Sequence, residues 1–118
     1  MNKLILYVCA WICLHSCGFS KSQEESMLEY ALSQAGDNRK ELEYVIKYYE
    51  GDSLKREVAR FLIRNMVYHF GYEKRERVSD ITTLSSDYLI RNIELAFQAW
   101  PKPWNKSVSF ENFCRYIL

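Results

Sequence analysis

The chain has 118 residues, 48% of them hydrophobic and 15% aromatic, and carries a net charge of +1. That length accommodates one small domain with one core. With 16 basic and 15 acidic side chains, the charge balance argues against nucleic acid or an anionic lipid surface as an electrostatic partner.

The first stretch with a clear reading is Met1 to Cys17. Lys3 provides a positive charge, Leu4 to Leu14 runs apolar without a break, and His15, Ser16 and Cys17 close it. A basic flank, an apolar run of about 7–15 residues and a small-residue cleavage zone are the parts of a secretory signal. The run is short for a membrane-spanning helix, which needs roughly 20 residues. The ending Leu14-His15-Ser16-Cys17 resembles a bacterial lipobox, in which the cysteine is acylated and becomes the new N-terminus. His15 departs from the small or aliphatic residue usual at that place. Two other readings stand beside it: an ordinary signal cut near Ser16 or Gly18, and an uncleaved anchor or buried N-terminal helix. In the lipobox reading residues 1–16 are a signal peptide, 17–26 a lipidated tether and 27–118 a helical domain. Loss of 1–16 removes Lys3 and leaves 15 basic and 15 acidic side chains. The membrane partner is then the lipid on Cys17, not surface charge, and the location is the cell envelope.

Cysteine usage agrees with this. Cys9 and Cys13 fall in the signal, Cys17 carries the lipid, and Cys114 is the one ordinary thiol. A single cysteine closes no internal disulfide and builds no zinc cluster. No cofactor is implied.

Gly18 to Ser26 is polar and aperiodic and reads as a tether. Its Gln23-Glu24-Glu25 is similar to the acidic signal that follows the cysteine in surface-exposed lipoproteins of Bacteroidetes, although it lies further from Cys17. A plain solvated linker that also opens the next helix fits the same residues. Helices follow. Leu28, Ala31, Leu32 and Ala35 share one face over Met27–Ala35, and Gly36 stands where a left-handed C-terminal residue is wanted. Asn38 and Glu41 have the spacing of a capping box before a stripe of Leu42, Val45, Ile46 and Tyr49, which Gly51 ends. Asp52 or Ser53 caps a third helix, Leu54–Phe70. Its broad apolar arc of Val58, Ala59, Phe61, Leu62, Ile63, Met66, Val67 and Phe70 predicts the most buried helix, with Gly71 ending it. Tyr72–Ser86 reads as the longest irregular piece, and its mixed-sign run Glu73–Arg77 as a solvated loop. Ser85, Ser86 and Asp87 offer caps for a fourth helix through Ala99, with Leu89, Ile93, Ala96, Phe97 and Trp100 on its face.

Trp100-Pro101-Lys102-Pro103-Trp104 then stops the helix. Two flanking indoles make a possible binding surface for a glycan, peptide or protein partner. Alternatively, both pack back over the helix ends. Ser109 and Glu111 open a last helix bearing Phe110, Phe113, Cys114 and Ile117, still apolar when the chain stops at Leu118. That ending predicts a truncated piece, or a last helix that docks on something further. The fold expected is all-α: a small bundle of about four to five helices.

Chemistry is sparsely represented. A nucleophilic cysteine needs a histidine in reach and a third group to orient it. Cys114 lies within an amphipathic pattern, and His69 is the one histidine outside the signal. The alternative is a buried thiol and a half-exposed histidine near a helix C-terminus. There is no glycine-rich phosphate loop, and acid pairs such as Glu41/Glu43 fall on exposed helix positions. No catalytic or metal-ligating residue is assigned.

The segments Ala31–Glu43, Phe61–Met66, Ile93–Trp100 and Phe110–Leu118 together resemble the N-terminal region of large transglutaminase-like lipoproteins of Bacteroidetes. In that region "AGDNR.ELE", "FLI.NM", "AF..W" and "SF..FC.YIL" recur in this order. The resemblance covers most of 28–118. It implies a helical lead-in placed before a papain-like transglutaminase core, whose catalytic Cys precedes its His and Asp. Only Arg115, Tyr116, Ile117 and Leu118 follow Cys114, so no triad can be completed here and Cys114 belongs to the lead-in motif.

Overall fold

The computed structural model describes residues 21–100 and 108–116. Its elements are a helix over 21–34 (α1), a 3₁₀ turn Gly36–Asn38, α2 (Arg39–Tyr48), α3 (Ser53–Met66), β1 (Phe70–Glu73), β2 (Glu76–Ser79), α4 (Asp80–Thr83), α5 (Ser86–Ala99) and α6 (Phe110–Tyr116). The architecture is a small helical bundle with one hairpin. The apolar faces expected from helical spacing are the ones that meet. Leu28, Ala31, Leu32 and Ala35 of the first segment, Leu42, Val45 and Tyr49 of the second, Val58, Ala59, Ile63 and Met66 of α3, and Leu89, Ile93 and Ala96 of α5 form one buried cluster with Ile81, Phe113 and Cys114. Helix α3 contacts α2, α4, α5 and α6, consistent with its wide apolar arc.

Several helix ends follow their local chemistry. Gly36 has φ +55°, the left-handed conformation that glycine adopts without a Cβ penalty. Asp52 accepts a hydrogen bond from the Lys55 amide at 3.1 Å, Ser85 from the Tyr88 amide at 3.3 Å and Ser109 from the Asn112 amide at 3.3 Å. Each side chain satisfies an amide that the first turn leaves without a partner.

Four local expectations are corrected. First, residues 21–26, the latter part of the expected tether, are helical, which agrees with the alternative that this stretch opens the next helix. They lie in the exposed part of α1, where Glu25 pairs with Arg60 and Glu24 stands 4.0 Å from Arg64 Nη1, so ion pairs to α3 extend the helix beyond its apolar face.

Second, α3 stops at Met66 rather than Phe70, and Gly71 lies inside β1 rather than at a helix end. Third, the stretch after it is not irregular. Phe70–Glu73 pairs antiparallel with Glu76–Ser79, and Glu73 stands opposite Glu76 across a two-residue loop. The loop residues Lys74 and Arg75 both have positive φ, 49° and 74°, the twist that a tight two-residue hairpin loop requires. The Arg77 guanidinium lies 3.5 Å from the centroid of the Phe70 ring and draws that ring out of the helical face predicted for it.

Fourth, Asn38 and Glu41 do not cap α2. The 3₁₀ turn runs straight into the helix, and the Arg39 amide bonds the Gly36 carbonyl, so no free N-cap position exists. Both side chains act at long range instead. Asn38 Nδ2 donates to the carbonyls of Ile81 and Leu84, each at 3.0 Å. Glu41 Oε2 accepts from the Ser86 amide at 2.9 Å and the Ser86 hydroxyl at 2.6 Å. The two residues thus close the C-terminus of α4 and the N-terminus of α5.

Left-handed conformations disfavour Lys and Arg, by roughly 1–2 kcal/mol per residue at most, while Asn-Gly suits this loop. The double substitution Lys74→Asn/Arg75→Gly is therefore expected to stabilise the hairpin by about 1 kcal/mol. Hydrogen exchange at the Gly71 and Val78 amides, which face each other in a hydrogen-bonded pair, should slow several-fold; unchanged exchange would mean that the loop carries no strain.

Candidate functional site

A hollow that combines an apolar floor with polar groups lies between the C-terminal half of α3, the first half of α5, and α6. It measures about 350 Å³. Phe61, Leu62, Met66, Leu84 and Leu89 supply its apolar walls, Asn65, His69, Asp80, Tyr88, Asn92 and Arg115 its polar ones, and Cys114 also lines it. Its geometry depends on the Asn38–Glu41 grip, since Asp80 and Leu84 belong to the segment that the grip holds and Tyr88 and Asn92 to the helix that Glu41 caps. The hollow is in the size range of small-molecule sites.

The only nucleophile–base pairing that the sequence offered, Cys114 with His69, is brought to this one cleft. It is not assembled there: among the described residues no hydrogen bond joins the two side chains. Cys114 is buried. Burial pushes its thiol above the ordinary range, and the Arg64 charge nearby offsets this only in part. A protonated thiol is a weak nucleophile. Arg115 is engaged with Glu111 at 2.9 Å and is not a partner for the sulfur.

A larger trough of about 550 Å³ lies among α1, α2 and α3. Lys21, Lys47, Arg56 and Arg60 there face Glu25, Glu43, Glu50 and Glu57. Arg60 is held by Glu25, with Glu57 3.4 Å from its Nε. This charge-balanced surface selects no ligand by sign.

Trp100 and Trp104 marked the other candidate surface. The Trp100 ring stacks on Phe113 with centroids 4.2 Å apart and planes at 12°, and meets Phe97 and Phe110 at 5.7 and 6.1 Å. Its Nε1 donates to the Val108 carbonyl at 3.3 Å. This indole packs back over the end of α5 and against α6. Trp104, the prolines and the lipidation position Cys17 lie outside the described residues.

Sequence reasoning missed the polar latch Tyr49–Lys55–Glu94. Lys55 Nζ donates to both carboxylate oxygens of Glu94 at 2.9 Å. The Tyr49 hydroxyl donates to Glu94 Oε1 at 2.9 Å. The Lys55 ammonium also stands 5.9 and 5.5 Å from the Tyr49 and Phe97 ring centroids, within cation–π range. Hydrogen bonding from Lys55, and then from Tyr49, holds the Glu94 carboxyl below its ordinary range against the opposing effect of burial. Burial, followed by the bond to Glu94, drives the Tyr49 phenol up. The Ser86 hydroxyl and amide likewise lower Glu41. No signal in the sequence pairs residues separated by 39 and 45 positions.

Comparison of the chain with family models, with curated proteins and with solved structures returns no match. The resemblance to transglutaminase-like lipoproteins therefore rests on its sequence pieces alone.

A carboxylate whose folded pKa is depressed stabilises the fold above its unfolded value, and that stabilisation is lost as pH falls through the folded value. Glu94 and Glu41 both behave in this way, so stability should be level above about pH 4.5 and decline below it. Glu94→Gln should reduce stability near neutrality by about 1 kcal/mol, with the difference from wild type shrinking as pH drops below 4. Thermal melts followed by circular dichroism between pH 3 and 7 test this; a constant difference across the range would show that the latch is not ionic.

Proposed function

We propose that this chain is an exported, lipid-anchored helical domain that carries no reaction centre of its own and packs beside a papain-like transglutaminase-type core. The observation that carries the reading is that residues 21–34, which follow Cys17 closely in the sequence, are helical, with Glu24 and Glu25 facing Arg64 and Arg60 of α3. A lipid on Cys17 would thus attach within a few residues of a helix fixed to the bundle. The burial of Cys114, which pushes its thiol pKa up, supports the non-catalytic part of the reading, and the exposure of Tyr30, Tyr44, Tyr68, Tyr72 and Tyr116 supports the packing part, since tyrosine is enriched at protein interfaces. A self-contained ligand platform on the Trp100–Trp104 turn is less favoured, because one face of the first indole is covered by Phe113 and its N–H is bonded to Val108.

Expression in a host with a lipoprotein pathway, with an alkyne-tagged fatty acid in the medium, should label the chain, and Cys17→Ser should abolish the label. Intact mass should show loss of residues 1–16. An unmodified Met1 form would sink the reading. The non-catalytic part is tested separately. Cys114 should react with iodoacetamide more slowly than a free peptide thiol at neutral pH, at a rate unchanged by His69→Ala, and the chain should incorporate no amine into a glutamine-donor substrate. A fast thiol slowed by that substitution would reinstate the enzyme.

A further inference from the structure

The cleft between α3, α5 and α6 has a specific electrostatic character. Of its four ionisable wall groups besides the thiol, Tyr88 and His69 are exposed and Arg115 is paired with Glu111 at 2.9 Å. Asp80 is half-buried, and its carboxylate makes no hydrogen bond or ion pair among the described residues. The side chains of Tyr88 and Asn92 on the α5 wall are equally unengaged. The Asp80 carboxylate, half-buried and unpaired beside Met66, Leu84 and Leu89, is free to take a cationic partner. A ligand that also covered the apolar floor would gain from burial of its own apolar surface.

We propose that this cleft binds a small amine: an apolar body seated on Met66, Leu84 and Leu89, with one ammonium group against Asp80. Tyr88 contributes a ring that attracts cations, and Asn92 an amide free to accept a second ammonium hydrogen. The volume of about 350 Å³ admits a phenyl or branched alkyl group with a short spacer. A free amine and the N-terminus of a hydrophobic peptide share this chemistry.

Saturation-transfer NMR on the full chain in detergent, with empty micelles as the blank, separates the two sources. The probes are 2-phenylethylamine and the dipeptide phenylalanyl-alaninamide, each paired with an uncharged control, 2-phenylethanol and the N-acetylated dipeptide. At least one amine should bind in the millimolar range or tighter, its control should bind at least tenfold more weakly, and the arm that binds identifies the source. Asp80→Asn should reduce binding at least tenfold with an unchanged circular dichroism spectrum. Asp87→Asn, an exposed acid outside the cleft, should leave binding unchanged. If Asp80→Asn fails to fold, Asn92→Lys, which places a competing ammonium in the cleft, should block binding instead. No transfer from either amine, controls that bind as well as the amines, or full binding by Asp80→Asn or by Asn92→Lys would overturn the proposal.

Discussion

The chain between the hairpin and α5 is positioned by the grip of Asn38 and Glu41 on residues 81–86. Helix α4 is four residues long, too short to persist by itself, and α5 begins two residues after Leu84. Asn38 satisfies carbonyls that α4 leaves unpaired, and Glu41 satisfies an amide and a hydroxyl at the start of α5. Buried or half-buried backbone groups need such partners. Without them the chain between the hairpin and α5 would have no fixed course, and the apolar face of α5 would have no defined approach to α2 and α3. The latch at Glu94 then fixes the middle of α5, because its carboxylate bonds side chains from the end of α2 and the start of α3.

The legibility of the sequence follows this division between local and distant interactions. The faces of α1, α2, α3 and α5 could be read because burial at helical spacing leaves a periodic record. The caps at Asp52, Ser85 and Ser109 were visible because donor and acceptor lie three positions apart. The Asn38/Glu41 pair carries the same signature, yet its partners are 43 to 46 residues away, and a local rule assigns such a pair to the nearest helix. The hairpin was hidden for a different reason. Its loop has Lys-Arg where Asn-Gly would announce it, and Glu73 faces Glu76, a like-charge pair that opposes strand pairing. The charge alternation therefore resembled a solvated loop. In the candidate site, the sequence singled out His69 and Cys114, which do line one cleft. Asp80, Tyr88 and Asn92 are brought there by tertiary structure alone.

The cleft and the latch show how similar groups serve different ends. Glu94 is ionised among donors that satisfy it, so its charge holds helices together. Asp80 is ionisable without such donors, which leaves it available to something that is not part of the chain. Cys114 is buried in the same core cluster as Phe113, and its sulfur contributes chiefly as an apolar surface.

The left-handed Lys74-Arg75 pair has a consequence for covalent integrity. It places two basic residues side by side at an exposed tip, a preferred cutting site for trypsin-like proteases. Scission there would divide the chain into a piece bearing α1, α2, α3 and β1 and a piece bearing β2, α4, α5 and α6. The contacts already described at Asn38, Glu41, Lys55 and Tyr49 would all span the break. The nicked molecule would behave as a two-chain complex whose halves separate only on denaturation.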